Sequence, residues 1–185
     1  EHKYSWDDAW AMTQKTCAYT NHTILAEALE KWPIDIIQPV LPRIYQIIEE
    51  IDRRFRLHLE TVHGDDAGKK ESLAIISNGE VRMAHLSIVG SFSVNGVAAL
   101  HTDILKNYEM KDFYNLYPKK FNNKTNGITH RRWLKHINPE LSSILDEVSD
   151  NWVKKPVELE NLMEKVDDKL THKAFHKMKK AHKET

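Results

Sequence analysis

The sequence lacks long hydrophobic runs and lacks an excess of charge of either sign, and both absences limit its function. A helix needs about 20 consecutive apolar residues to cross a bilayer, whereas the apolar runs here are only a few residues long. The 27 Lys and Arg residues balance the 27 Asp and Glu residues. Nucleic-acid-binding domains usually carry a basic stripe, so we expect neither a nucleic-acid partner nor a membrane partner.

Cysteine is also almost absent, since Cys17 stands alone. A single cysteine forms no internal disulfide, which is typical of proteins in a reducing compartment. The chain does not begin with Met, and its first residues are polar and acidic rather than those of a signal peptide. We therefore expect a cytoplasmic protein, and we expect the sequence to be an excised piece of a longer chain.

Hydrophobic periodicity predicts a mainly α-helical chain. The clearest case is "LPRIYQIIEEIDRRFRLHL", residues 41–59, in which Pro42 suits a first helical turn. Apolar residues spaced by three and four predict one buried face: Ile44, Ile47, Ile48, Ile51 and Phe55. Charged residues predict a solvent-exposed face: Arg43, Glu49, Glu50, Asp52 and Arg53.

The remaining segments give shorter predicted elements. Ser5 is predicted to cap a helix that continues through Tyr19, and Thr23 to begin another that runs to Trp32. Residues 64–70, "GDDAGKK", are predicted to form a flexible turn, and residues 81–90 a buried strand. Residues 93–107 are predicted to form a helix that Ser93 caps and in which Leu100 faces inward. From residue 138 onward the sequence predicts three short helices. We therefore expect one or two short strands whose pairing partners come from missing chain.

No sequence motif assembles a catalytic centre. His172 and His176 lie four residues apart, but a metal site needs three or four ligands, so a solvated helix face is the favoured interpretation. His22 follows Asn21 at a predicted helix entry, where a capping or core role is the simpler interpretation.

Residues 120–134, "KFNNKTNGITHRRWL", carry more neutral hydrogen-bonding groups than one helix cap uses. Neutral amides beside an indole suit sugars, whose hydroxyls are uncharged and whose C–H faces stack on aromatic planes. From the residues alone, a capped turn, a polyol pocket and a cofactor pocket all stay open.

Three motifs together identify a family. They are T-N-H-T at 20–23, V-N-G-V-A-x-L-H at 94–101 and N-K-T-N-G-I-T-x-R-R-W at 123–133. With their flanking segments they resemble the glycogen, starch and maltodextrin phosphorylases, in the family's order, over residues 15–141. The resemblance implies an enzyme that uses inorganic phosphate to release glucose 1-phosphate from an α-1,4-glucan.

The resemblance also implies the parent fold and its partners. The expected parent is an α/β protein of the glycosyltransferase-B type, with two Rossmann-like domains, which forms a homodimer and carries pyridoxal 5′-phosphate. In this chain, residues 1–122 would close the first domain and residues 123–185 would open the second.

Site residues follow by the same resemblance. His22, Val97 and Asn126 would bind the glucosyl unit, and Trp133 would pack beside the cofactor ring. Arg131 and Arg132 are expected to form only structural ion pairs. No catalytic residue, metal ligand or Schiff-base lysine is expected in this chain, so the chain alone should be inactive and should bind the cofactor poorly.

The sequence departs from the family pattern at several positions. His130 replaces a proline and Phe92 replaces a histidine. Glu49 and Asp52 stand where the animal enzymes' glycogen-storage surface has tyrosine and asparagine. We therefore expect that secondary polysaccharide site to be weak or absent, and the source to be bacterial.

Two alternatives belong to other functional classes. One is a helical carbohydrate-binding module without chemistry. The other is a protein-interaction piece in which the apolar stripe of residues 44–55 is an exposed interface, and an exposed stripe of this kind would make the chain self-associate.

Overall fold

The structure is a computed structural model that describes residues 3–64 and 66–184. Helices account for most of these residues, which confirms the predicted helical character. The chain divides into two units, Glu1–Asn126 and Gly127–Thr185. The first unit thus ends at Asn126, close to the predicted domain boundary at residue 122, although the domain assignment itself stays a prediction. Across the described residues, no helix is both long enough and apolar enough to cross a membrane.

The first unit holds α1 to α7 and β1 to β6. The helices are α1 (Trp6–Thr16), α2 (Ile34–Val40), α3 (Pro42–His63), α4 (Ala67–Leu73), α5 (Met83–Val89), α6 (Ala99–Ile104) and α7 (Lys111–Leu116). The strands are β1 (Ala18–Thr20), β2 (Lys31–Pro33), β3 (Ile76–Ser77), β4 (Glu80–Arg82), β5 (Ser93–Gly96) and β6 (Phe121–Asn123). Short 3₁₀ or π turns occupy Ala26–Ala28, Leu105–Glu109 and Pro118–Lys120.

The strands form two three-stranded sheets within the chain. One sheet is parallel in the order β1-β5-β6, with Tyr19 opposite Val94 and Val94 opposite Phe121. The other is antiparallel in the order β2-β4-β3. The strands therefore pair with one another, and the expectation that a strand needs a partner from missing chain is wrong.

Helix α3 confirms the strongest prediction from the sequence, with Pro42 in its first turn. Ile48, Ile51 and Phe55 are buried in the core of the first unit, whereas Ile44 at the start of the stripe is 48% exposed. Most of the apolar stripe is therefore core, which contradicts the alternative in which it is an exposed interface.

Asp52 was predicted on the solvent-exposed face of α3, and this is wrong. Asp52 is only 6% exposed. Oδ2 accepts a hydrogen bond from Nε of Arg56 at 2.8 Å, and Oδ1 accepts from the backbone N–H groups of Ile75 at 2.8 Å and Ile76 at 3.2 Å. The carboxylate is buried because the segment after α4 brings backbone donors to it, which periodicity cannot reveal.

The predicted helix from Thr23 to Trp32 is also wrong. Only Ala26–Ala28 is helical, and β2 pairs Lys31 with Arg82 and Trp32 with Val81. Pairing with β4 determines the extended conformation of residues 31–33, and such long-range pairing overrides a helical spacing of apolar residues. The first helix likewise ends at Thr16, so that Tyr19 lies in β1, although its predicted cap, Ser5, is confirmed by the bond from the N–H of Asp8.

Three further segments differ from their predictions. Residues 83–89 form α5 rather than a strand, since a short apolar run fits a buried helix equally well. Ser93 begins β5 instead of capping a helix, and Leu100 is 73% exposed. Of the predicted turn at 64–70, Asp65 lies outside the described residues. Asp66 caps α4, because its Oδ1 accepts from the N–H of Lys69.

The second unit begins with a π-helical segment, Arg131–His136, and then has the three predicted helical segments. These are α8 (Pro139–Asp146), a 3₁₀ stretch (Pro156–Lys165) and α9 (Lys169–Glu184). Trp152 is fully buried, and its indole N–H donates to Oδ1 of Asp146 at 2.9 Å.

Candidate functional site

The three sequence motifs begin at the carboxyl ends of three neighbouring parallel strands and continue into the loops after them. Strand β1 ends at Thr20, β5 at Gly96 and β6 at Asn123, and all three point the same way in one sheet. The loops after them therefore emerge at one edge of the sheet. In open α/β sheets this is the edge at which ligands bind.

Hydrogen bonds join the loop after β1 to the end of β5. The Oγ1 hydroxyl of Thr20 donates to Oδ1 of Asn95 at 2.9 Å, and the N–H of Asn21 donates to the carbonyl of Asn95 at 2.9 Å. Asn95 is buried and its own amide donates to the Gly96 carbonyl at 3.0 Å. These bonds hold the first two loops in a defined arrangement.

The loop after β6 is tied to the same place. The N–H of Lys124 donates to the Gly96 carbonyl at 3.1 Å, and the N–H of Asn126 donates to the Val97 carbonyl at 3.0 Å. The sheet pairing thus continues past Asn123 as two further bonds. Val97 and Asn126 are adjacent for this reason.

Gly96 is needed where β5 ends. A Cβ atom there would lie 2.5 Å from Oγ1 of Thr102 and 3.0 Å from the Thr102 backbone nitrogen. The same Oγ1 donates to the Ala98 carbonyl at 2.9 Å and is 3.1 Å from Oδ1 of Asn123. Close approach of α6 to the strand end therefore excludes any side chain at this position.

The amide of Asn21 is buried beneath the loop that carries His22. Asn21 is 1% exposed, its Nδ2 donates to the Tyr19 hydroxyl at 3.1 Å, and its Oδ1 accepts from the N–H of Thr23 at 3.0 Å. Burial raises the pKa of the Tyr19 phenol, and the hydrogen bond with Asn21 opposes that rise. The Asn21 side chain thus organises the loop from below and leaves His22 at its surface.

The predicted sugar-binding residues lie on these three loops. His22 and Asn126 have exposed side chains, and Val97 is half-buried. Within residues 3–64 and 66–184, neither the His22 ring nor the Asn126 amide forms a side-chain hydrogen bond. Their polar atoms are therefore available to a ligand.

The other asparagines of residues 120–134 have internal partners. The Asn122 amide donates to Oγ of Ser93 at 2.8 Å, the Asn123 amide donates to Oγ1 of Thr125 at 3.0 Å, and Oδ1 of Asn123 lies 3.1 Å from Oγ1 of Thr102. Asn122 and Asn123 therefore hold the sheet end together, whereas the Asn126 amide has no partner among the described residues.

Trp133 belongs to the second unit, where its side chain is 64% exposed. Among the described residues Arg131 and Arg132 form no ion pair, so their structural ion pairing stays a prediction. Both side chains are exposed on the π-helical segment.

The departures at His130 and Phe92 also have structural consequences. His130 donates through Nε2 to the Val153 carbonyl at 2.8 Å, a bond that proline could not form. Phe92 is 56% exposed and precedes the first residue of β5. It therefore lies at the amino end of that strand, away from the edge that carries the three loops.

A metal centre finds no support in the part of the chain that the structure describes, where no cluster of three or more His, Cys, Asp or Glu side chains has metal-binding geometry. His172 and His176 lie on the exposed surface of α9.

Sequence reasoning missed the scaffold of this site, namely Asn95, His101 and Thr102. Asn95 and His101 stand in the V-N-G-V-A-x-L-H motif, and that motif was the available signal. The motif nevertheless predicts a helix entry, because β5 is only four residues long and is buried.

Comparison with known proteins shows which protein family the chain resembles. A sequence model of the family described as "Phosphorylase: Carbohydrate phosphorylase" matches residues 1–185. The chain is 56% identical to the "Glycogen phosphorylase" of Bacillus subtilis (strain 168) over 160 residues, which cover 86% of this chain and 20% of that protein. It is 52% identical to the "Maltodextrin phosphorylase" of Streptococcus pneumoniae over 178 residues, 95% of this chain and 22% of that protein.

A mammalian relative gives the same result. The "Glycogen phosphorylase, muscle form" of Oryctolagus cuniculus is 44% identical over 185 residues, 98% of this chain and 22% of that protein. The chain thus spans about a fifth of the length of the relatives it matches. By the family match over its whole length, the chain belongs to the carbohydrate phosphorylases.

Proposed function

We propose that this chain is part of a longer α-1,4-glucan phosphorylase, which uses inorganic phosphate to remove terminal glucosyl units as glucose 1-phosphate. The relatives named glycogen and maltodextrin phosphorylase support this activity. The observation that carries the proposal is the position of the three motif loops at the carboxyl edge of the parallel sheet. That edge is where such folds bind small ligands.

In the proposed site, His22 and Asn126 hydrogen-bond hydroxyls of the glucosyl unit, and Val97 lines the same pocket. The unengaged polar atoms of His22 and Asn126 support these roles, because a neutral hydroxyl needs a free donor or acceptor. The half-buried Val97 offers an apolar surface suited to the C–H face of a sugar. The chain itself would supply substrate contacts and no catalytic group.

Pyridoxal 5′-phosphate is the proposed cofactor of the longer protein. Trp133 fits it, because its 64% exposed indole presents a flat apolar surface on which a pyridine ring can pack. When bound, the cofactor would supply a phosphate group that gives and takes a proton. The Schiff-base lysine and the remaining phosphate ligands would lie in other parts of the protein.

The finer assignments belong to the same proposal. Residues 1–122 and 123–185 would belong to the first and second domains of a cytoplasmic, bacterial homodimer. The chain on its own should self-associate, because apolar side chains around the start of α3 are exposed, including Val40 at 69% and Leu41 at 49%.

Replacing Asn126 tests the sugar-binding role. In the longer protein, Asn126→Ala should lower kcat/KM for maltoheptaose about tenfold, the loss of about 1.4 kcal/mol of transition-state binding. The melting temperature should hardly change, because the side chain has no hydrogen-bond partner within residues 3–64 and 66–184.

Asn138→Ala is the matched control. The Asn138 side chain caps α8 by accepting from the N–H of Leu141 at 3.0 Å, so its loss should cost about 1 kcal/mol of stability and leave the kinetics unchanged. If Asn126→Ala instead lowered the melting temperature and left kcat/KM unchanged, the amide would be a structural cap. Release of glucose 1-phosphate by residues 1–185 alone would contradict the expectation that this chain is inactive.

A further inference from the structure

His101 contacts two of the three motif loops through opposite sides of one ring. It lies in α6, and its Nδ1 is 3.1 Å from the backbone nitrogen of Val97. Its Nε2 is 3.1 Å from Oδ1 of Asn21 and 3.4 Å from the carbonyl of Thr23.

The partners assign the tautomer of this ring. A backbone N–H only donates, so Nδ1 must accept from Val97 and carries no proton. Nε2 therefore carries the proton and donates to Asn21 Oδ1, with the Thr23 carbonyl as a second acceptor. Both sides of the neutral ring are thus engaged, and each side has a different chemical role.

These bonds reach all three predicted sugar-binding positions. His22 is flanked by Asn21 and Thr23, which both face Nε2 of His101. Val97 donates its N–H to Nδ1, and its carbonyl accepts from the N–H of Asn126 at 3.0 Å. One imidazole therefore joins the loops after β1 and β5 directly, and the loop after β6 through Val97.

We propose that His101 is a positioning residue for the glucosyl site: it sets the spacing of the loops that carry His22, Val97 and Asn126 without touching the sugar. This inference rests on the proposed function. It assigns His101 a task that neither a core residue nor a helix cap performs. The spacing of the loops matters because misplacing a binding group by about 1 Å can cost about 100-fold in rate.

Two substitutions separate the two sides of the ring. His101→Asn places an amide oxygen near the position of Nδ1, so it keeps an acceptor for Val97 and releases the Asn21 side. His101→Gln reaches the position of Nε2, so it keeps a donor for Asn21 and releases Val97 and, with it, Asn126. The control is His176→Asn, which makes the same exchange on an exposed face of α9.

The experiment uses the longer, cofactor-loaded protein and measures KM and kcat for maltoheptaose, KM for phosphate, cofactor content and melting temperature. We expect both His101 variants to lower kcat/KM for the glucan fivefold to tenfold, as the loss of one hydrogen bond would. KM for phosphate and the cofactor content should stay within twofold of the parent, as for His176→Asn.

A double-mutant comparison with Asn126→Ala gives the sharper result. His101→Gln already releases Asn126, so adding Asn126→Ala should cost less than it costs alone, whereas on His101→Asn its effect should be fully additive. Equal additivity on both variants would overturn the positioning role. So would a general loss in which melting temperature, cofactor content and phosphate KM all deteriorate together.

The failure of this inference differs from failure of the proposed function. If the His101 variants keep parental glucan kinetics while Asn126→Ala loses tenfold, the glucosyl site stands and the positioning role is wrong. If Asn126→Ala and His22→Ala also keep parental kinetics, the glucosyl site itself is wrong, and the positioning role is overturned with it.

Discussion

Replacing Asp52 by alanine should destabilise the first unit strongly, although the residue is charged and lies on a helix. The substitution removes the acceptor for Nε of Arg56 and for the backbone N–H groups of Ile75 and Ile76. Ile75 is fully buried, so water cannot take over as the acceptor for its N–H. Arg56 keeps its bond to the Ile76 carbonyl but loses its closest carboxylate.

The magnitude follows from the groups left without partners. An unsatisfied buried N–H costs about 1–3 kcal/mol, and removing one partner of a buried ion pair costs about 3–5 kcal/mol. Because the Arg56 side chain is 35% exposed, water recovers part of its loss. We therefore expect Asp52→Ala to lower the free energy of unfolding by about 3–4 kcal/mol, or the melting temperature by roughly 10 °C.

The assay is denaturant unfolding of this chain, with two comparison variants. Asp52→Asn keeps one oxygen for the two backbone N–H groups but turns an NH₂ toward Arg56, so it should cost about half as much. Glu49→Ala, on the exposed side of the same helix, should stay within about 0.5 kcal/mol. If Asp52→Ala unfolded within 1 kcal/mol of Glu49→Ala, the carboxylate would not hold the segment after α4, and the reasoning would be refuted.

Two further predictions concern the strand end and a buried histidine. Gly96→Ala should cost about 1–3 kcal/mol, because its Cβ would overlap Oγ1 of Thr102 at 2.5 Å. Gly127→Ala, with no atom within 4 Å of its Cβ, is the control in the same denaturant titration, and equal effects would contradict the overlap. Burial is the main cause that lowers the pKa of His85 to about 4 from 6.5, with Arg82 acting in the same direction. Between those pH values the unfolded chain binds the proton more readily, so stability should fall as pH drops from 6.5 to 4, by about 2–3 kcal/mol from this group. His85→Asn keeps a donor for the Ala74 carbonyl, which His85 contacts at 2.9 Å, and cannot titrate. Its unfolding free energy should therefore lose less over that pH range, and an identical pH profile would show that His85 does not contribute.

Short segments show how far local pattern could predict this fold. Helix α3 was predicted correctly because 22 residues repeat one apolar face many times. Strand β5 was missed because it has four residues, and two of its buried positions, Asn95 and Gly96, are not apolar. Buried polar residues lie there because the neighbouring strand ends supply their hydrogen-bond partners, and those partners are 75 residues away for Thr20 and Asn95.

The candidate site divides in the same way. His22, Val97 and Asn126 were predicted from three family motifs, and their placement at one sheet edge agrees with the interpretation while their roles stay predictions. His101 was missed, because its bond to Asn21 spans 80 positions. The ion pairs expected of Arg131 are not found among the described residues and stay a prediction. A motif specifies residue types and says nothing of the charges that surround them.

The sequence by itself determined the family, the helical character and the long amphipathic helix, because each rests on residue identity or on spacing along the chain. Tertiary structure alone decided that β1, β5 and β6 lie side by side, that Asp52 is buried and that one imidazole joins two loops. The physical reason is that a hydrogen bond between distant segments leaves no periodic trace in either segment. Such a bond appears only after the backbone has brought its donor and acceptor within about 3 Å of each other.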